Sequence, residues 1–270
     1  DVFEQTSFGQ EGSEILGKCV HCGFCTATCP TYQLLGDELD GPRGRIYLVK
    51  ELLETGKASE TTRIHLDRCL TCRACETTCP SGVNYGRLVE LARPVVEELS
   101  PRPFLPRLYR WLLVHLMLGP WFGLLLRTGQ MVRGVMPANL VRHIPKKSAV
   151  GIVPRSRGHR RVLVLDGCVQ PAMAPQINAA ARRVLARLDV DVCSVRQARC
   201  CGALQLHLGD KVPALETMRR NIDVWWPEIE DGADRIVMTA SGCGVTVREY
   251  GLLLKDDPAY CQKAKRVSEM

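Results

Sequence analysis

Cys19-Val-His-Cys22-Gly-Phe-Cys25-Thr-Ala-Thr-Cys29-Pro30 and Cys69-Leu-Thr-Cys72-Arg-Ala-Cys75-Glu-Thr-Thr-Cys79-Pro80 are two copies of one pattern, C-x2-C-x2-C-x3-C-P. Cysteines three residues apart let a single turning loop wrap three thiolates around one cubane iron–sulfur cluster, and the closing proline turns the fourth away. Zinc ribbons use separated Cys-x2-Cys pairs, not four cysteines in eleven residues. A disulfide framework needs an oxidising compartment and usually a small domain. The repeat therefore points to iron and sulfide. His21, between Cys19 and Cys22, has no partner motif that would complete a two-histidine iron site, and it reads as a loop residue beside the cluster.

In two-cluster ferredoxins the fourth cysteine of each run ligates the other cluster. That rule assigns Cys19, Cys22, Cys25 and Cys79 to one [4Fe–4S] cluster. It assigns Cys69, Cys72, Cys75 and Cys29 to a second. Between the runs, 38 residues separate Pro30 from Cys69, too many for a compact ferredoxin. Residues 45–53 carry Ile46, Val49, Leu52 and Leu53 on one helical face and end before Gly56. The N-terminal part thus reads as a helical two-cluster ferredoxin domain, residues 1–100. Arg43 and Arg45 stand where they either favour the reduced, more anionic clusters or simply begin a solvated helix. A further helix is expected over residues 85–99, kinked or interrupted at Pro94.

The 270 residues carry a formal charge of +7 and fourteen cysteines. The charge is unevenly placed. Residues 99–165 contain twelve Lys or Arg and no acid, which leaves the rest of the chain at −5. Two oxidised clusters at about −2 each bring the total to about +3. The basic interval mixes its charges with Leu and Trp and has no nucleic-acid-binding motif, so no nucleic-acid partner is expected. The N-terminus is acidic and polar, unlike a signal peptide. With free thiols needed for iron, that points to the cytoplasm or the cytoplasmic face of the inner membrane. A start at Asp1 and a stop at Met270 are what a fragment would show.

Residues 101–160 read as a basic, apolar helical linker. Leu108 to Leu126 is nearly long enough to span a bilayer, but Arg110, His115 and the central Gly119-Pro120 argue for two short helices instead. A hairpin packed on its own domain, docking on a partner subunit and a peripheral membrane contact all fit this stretch.

From 161 to 270 short apolar strands alternate with helices, the mark of parallel βαβ units. Strands are expected at 161–166, 191–195 and 235–240, and helices at 174–188, 213–229 and 246–255. The overall class is α+β and multidomain, a helical ferredoxin domain and linker followed by an α/β cysteine-rich domain. Cys168, Cys200, Cys201 and Cys243 each fall at or near a strand's carboxyl end, where open α/β sheets gather functional groups. They form a candidate third metal site or a redox thiol pair. Cys193 and Cys261 lack that context and read as structural. His207, soon after Cys201-Gly202, is a weaker ligand candidate.

Cys168, then Cys200-Cys201-Gly202, then Cys243 resembles the CCG domain of heterodisulfide reductase-like proteins. The stretches CVHCGFCTATCPTYQLLGDELDGPRGRIYLVKE, HLDRCLTCRACETTCPSGVNYGRLVE, DGCVQ and TASGCGVTVREYG look like those of the glycolate oxidase (glycolate dehydrogenase) iron–sulfur subunit family. The resemblance covers essentially the whole chain. It implies an oxidoreductase subunit without its own substrate site or catalytic residues. Electrons from FAD on partner subunits that oxidise glycolate would pass through its clusters towards a quinone or membrane acceptor. Two departures stand out. The full CCG motif ends in Cys-x2-Cys, but Ala240 occupies the first of those positions, and the second CCG repeat usual in the family is absent. Other readings remain open: the same relay serving lactate or glycerol 3-phosphate, or thiol–disulfide chemistry at the CCG cysteines. No G-x-G-x-x-G after a strand and no Walker A motif occur.

Overall fold

Thr6 starts the first helix. Its hydroxyl accepts the Gly9 N–H at 3.0 Å and opens α1 (Ser7–Gly17). This computed structural model describes residues 3–154, 158–195 and 197–270. The first cysteine run follows α1 as a loop with one 3-10 turn, Phe24–Thr26. Cys29 then caps α2 (Pro30–Leu35), so Pro30 stands at the first helical position, where a missing N–H costs nothing. α3 (Pro42–Thr55) also starts on proline and stops at Gly56, whose φ of 69° glycine adopts without strain. Ile46, Val49, Leu52 and Leu53 are all buried, as the periodicity predicts. At Gly44 a Cβ would lie 2.1 Å from the Glu38 carbonyl oxygen, so only glycine lets α3 approach the preceding turn.

α4 (Glu60–Asp67), unannounced by any apolar stripe, begins with a reciprocal capping box between Ser59 and Thr62. The second run contains α5 (Ala74–Thr77), and α6 (Tyr85–Leu99) follows from the Asn84 cap. α6 continues through Pro94, so of the kink or interruption expected there the interruption does not occur. Pro94 is exposed, while Leu88, Val89, Ala92 and Val96 on either side of it are 0–2% exposed. Burial of that stripe outweighs one lost helical hydrogen bond.

α1, α3, α4 and α6 pack around one apolar core. Arg87 clamps α6 to α1 by donating to both carboxylate oxygens of Glu11, at 2.7 and 2.9 Å. A buried polar network joins α3 to α4. Asp40 is fully buried and accepts from Arg68 at 2.8 Å and Arg45 at 3.4 Å, and it bonds His65 Nδ1 at 2.9 Å. Burial alone would raise its pKa, but the bonds from His65 and Arg68 hold it below the usual carboxylate value.

Contacts divide the chain into two units, 1–107 and 108–270. α7 (Phe104–Leu118) spans that boundary, and α8 (Phe122–Met131) follows at 89° across Gly119-Pro120. The expected pair of short helices is therefore present. After α9 (Ala138–Val141) comes β1 (Arg160–Leu165), then α10 (Gln170–Met173), α11 (Pro175–Arg187) and β2 (Val190–Cys193). Next are α12 (Ala203–His207), α13 (Lys211–Glu230) and β3 (Ala233–Met238). The single helix expected over 246–255 is instead α14 (Ser241–Arg248) and α15 (Tyr250–Leu253), and α16 (Cys261–Glu269) comes last. The three strands are parallel, in the order β2-β1-β3. Met218, Ile222 and Trp225 of α13 fill the core with Leu163 and Leu165 of β1.

Replacing Asp40 by Asn leaves Arg45 buried without its anion. We expect Asp40→Asn to cost about 3–5 kcal/mol in denaturant unfolding of the cluster-loaded chain.

Candidate iron–sulfur site

The two cysteine runs take the same backbone path. His21 and Gly23 have φ of 53° and 84°, and the corresponding Thr71 and Arg73 have 52° and 56°. Left-handed residues on both sides of the second cysteine curl each loop inward. Glycine supplies one of these four positions, and three side chains accept the cost of a left-handed backbone. The runs also touch each other. Thr28 Oγ1 donates to the Ala74 carbonyl at 3.3 Å, and Thr78 Oγ1 donates to Thr28 Oγ1 at 3.4 Å.

Two adjacent cavities lie between them. The first is lined by Cys19, Cys22, Cys25, Cys75 and Cys79, with His21 and Arg43 at its wall. The second is lined by Cys29, Cys69, Cys72 and Cys75, with Arg45. Cys75, Pro42 and Tyr85 border both. Burial pushes the Cys25 and Cys75 thiols up, and neighbouring cysteines push further in the same direction. Crowded thiols of this kind become thiolates when a metal centre supplies the positive charge. All eight are free. The donor set fits two clusters and gives no support to disulfides.

The polar groups around the two cavities differ. Arg45 is 1% exposed and reaches to within 4.0 Å of Cys29 Sγ, while its Nε donates to the His65 carbonyl at 2.7 Å. Burial works against its charge, but Tyr85, Cys69 and Cys29 around it keep the guanidinium protonated. Tyr85 donates to Cys69 Sγ at 3.6 Å. Arg93 of α6 donates to the carbonyls of Leu66 and Cys69, at 2.9 and 2.7 Å, and so ties the end of α4 to the second run. At the first cavity Arg43 is more exposed and pairs with Glu38 at 2.7 Å, while His21 stacks on Tyr47. Tyr85, Arg93 and the Asp40–His65 pair lie outside the cysteine runs and carry no motif.

In the second unit Cys168, Cys200, Cys201 and Cys243 meet at the carboxyl edge of the sheet. Their free thiols act on one another electrostatically, Cys168 on Cys200, and Cys201 on Cys200 and Cys243. The Cys168 and Cys201 thiols and the Gly202 N–H, 3.4 Å from its sulfur, hold Cys200 below the usual thiol range, while Cys168 and Cys201 are raised. Asn221 and Tyr250, both buried, hold this loop. Asn221 donates to the Cys200 carbonyl at 2.6 Å, and Tyr250 donates to that of Cys201 at 2.7 Å. Gly202 has a φ of 88°, and a Cβ there would crowd Ala214 and Met218. Ala240, at the position of the missing thiol, caps α14. Gln205 lines the large cavity beside Cys168 and Cys200, and His207 ends α12 two residues later. Cys193 lies within β2, near Arg161, and Cys261 opens α16.

Residues 15–83 match the model of the 4Fe-4S dicluster domain, and residues 162–248 match that of the cysteine-rich CCG domain. The chain is 50% identical to the glycolate oxidase iron-sulfur subunit of Escherichia coli K12, over all of this chain and 67% of that protein. It is 32% identical to the probable glycolate oxidase iron-sulfur subunit of Bacillus subtilis, over 91% of this chain and 61% of that one. The chain belongs to the glycolate oxidase iron–sulfur subunit family. A heterodisulfide reductase component of Methanosarcina acetivorans is 24% identical over 84% of this chain and 56% of its own length. No solved structure matches. Family membership makes the chain an iron–sulfur, electron-transfer component of an oxidoreductase, with two [4Fe–4S] clusters as its cofactors. It spans about two thirds of the length of these glycolate oxidase relatives.

Hydrogen bonds and buried charge near the sulfurs set cluster potentials. Arg45→Leu should therefore lower the potential of one cluster, the one bordered by Cys29, and leave the other nearly unchanged. A redox titration followed by electron paramagnetic resonance reads both.

Proposed function

We propose that this chain carries electrons, one at a time, from FAD on glycolate-oxidising partner subunits towards a quinone. The pair of cysteine-lined cavities sharing one wall supports this most directly, because neighbouring clusters are what a relay needs. In this reading Cys19, Cys22, Cys25 and Cys79 hold one cluster, and Cys69, Cys72, Cys75 and Cys29 hold the other. Each cluster supplies a one-electron couple. The chain's own residues bind it, shield it from water and bias its charge: Arg45 and Tyr85 act at the second site, and Arg43 stands at the rim of the first. The four thiols at Cys168, Cys200, Cys201 and Cys243 form a third candidate metal site further along the chain. Fourteen unpaired cysteines go with a reducing compartment, the cytoplasm or its membrane face. The glycolate specificity belongs to the partner, and the names of the relatives support it.

In the assembled complex, Cys72→Ala is expected to abolish glycolate-dependent reduction of a dye that accepts electrons beyond the flavin, while glycolate still bleaches the flavin. Dye reduction at the wild-type rate would rule the relay out.

A further inference from the structure

We propose that the bent pair α7–α8 docks this chain on an anionic lipid bilayer, lying in the headgroup layer with its apolar side towards the acyl chains. The first observation is an apolar patch with no cover. Trp111, Leu112, Leu116, Trp121, Leu124 and Leu125 are 45–67% exposed. Leu116, Trp121, Leu124 and Leu125, with His115 and Gly119, border one shallow cavity across the bend, so these four form one patch. Scattered exposed apolar residues are ordinary, but a continuous patch rimmed by charge marks an interaction surface.

The second observation, charge, selects the occupant. Residues 99–165 hold twelve basic residues and no acid. Arg107, Arg127, Arg142, Lys146 and Lys147 are exposed. Cations in the same interval as exposed apolar helices that carry Trp are the composition of an interfacial segment on anionic lipid. A second copy would bring the same cations to the same face and be repelled. Among the described residues no single helix is long and apolar enough to cross a membrane, and the 89° turn at Gly119-Pro120 divides the apolar length into two short pieces.

The docking also has a chemical use. α8 packs on α10, which begins two residues after Cys168. Met117, Leu118 and Phe122 line one side of a large cavity whose other side carries Cys168 and Cys200. Docking would bring that thiol group to the membrane surface, where a lipid-dissolved acceptor resides. Vesicle binding is measured without any electron transfer, so it stands or falls separately from the relay.

The test is flotation of the cluster-loaded chain with vesicles of phosphatidylglycerol and phosphatidylcholine, or of phosphatidylcholine alone. We expect affinity for the anionic vesicles to be about tenfold higher or more, and to fall with added salt. Brominated lipids should quench Trp111 and Trp121. The pair Leu124→Glu with Leu125→Glu, and separately Lys146→Glu with Lys147→Glu, should each weaken binding about tenfold while iron content stays at the wild-type value. The second pair lies outside any helix and guards against a folding defect in the first. Equal affinity for both vesicle types, no binding, or unaltered binding by both variants would overturn the proposal. So would a concentration-dependent dimer dissolved by Leu124→Glu with Leu125→Glu, because a second copy would then be the occupant.

Discussion

Thiolates repel one another and resist burial, and the N-terminal unit is organised around that cost. Eight cysteines converge on two adjacent cavities, and burial raises Cys25 and Cys75 against ionisation. The helices cannot simply pack as an apolar bundle. Their core, from Phe8 to Val96, surrounds the thiols, and Cys75 belongs to both. The two runs touch through Thr28, Ala74 and Thr78. With a cysteine from each run in both cavities, clusters bound there would join the early and late parts of the unit.

The polar residues nearest the second cavity form one connected structure. Arg45 reaches Cys29 and is answered by Asp40, which is answered in turn by His65 and Arg68. A buried guanidinium is costly unless it is paired. Here the pairing leaves a positive charge beside one thiol set without stranding Arg45 or Asp40. The first cavity shares Tyr85 but has the half-exposed Arg43 and a stacked histidine where the second has the buried Arg45. Two ligand runs of equal spacing thus stand in unequal electrostatic surroundings, which suits a relay that must run in one direction.

What was legible in the sequence was whatever depended on spacing. The cysteine intervals placed the two loops, because a cubane tolerates few other arrangements. The stripe Ile46, Val49, Leu52 and Leu53 disclosed α3, and Gly119-Pro120 disclosed the break between α7 and α8. Short apolar runs placed the parallel strands and brought Cys168, Cys200, Cys201 and Cys243 to one edge. Contacts between residues distant in sequence left no such mark. Asp40 and His65 are 25 positions apart, and nothing local links Asn221 to Cys200, or Tyr250 to Cys201. α4 has a cap but no apolar period. Pro94 does not end α6, because burial of the stripe around it outweighs the local rule against proline in helices.

The account rests on the two runs holding two cubane clusters. Iron and acid-labile sulfide per chain, measured after anaerobic purification, test this most directly. It predicts about 8 of each, rising to about 12 if Cys168, Cys200, Cys201 and Cys243 hold a third cluster. Zinc in place of iron, or about 4 of each, would contradict it.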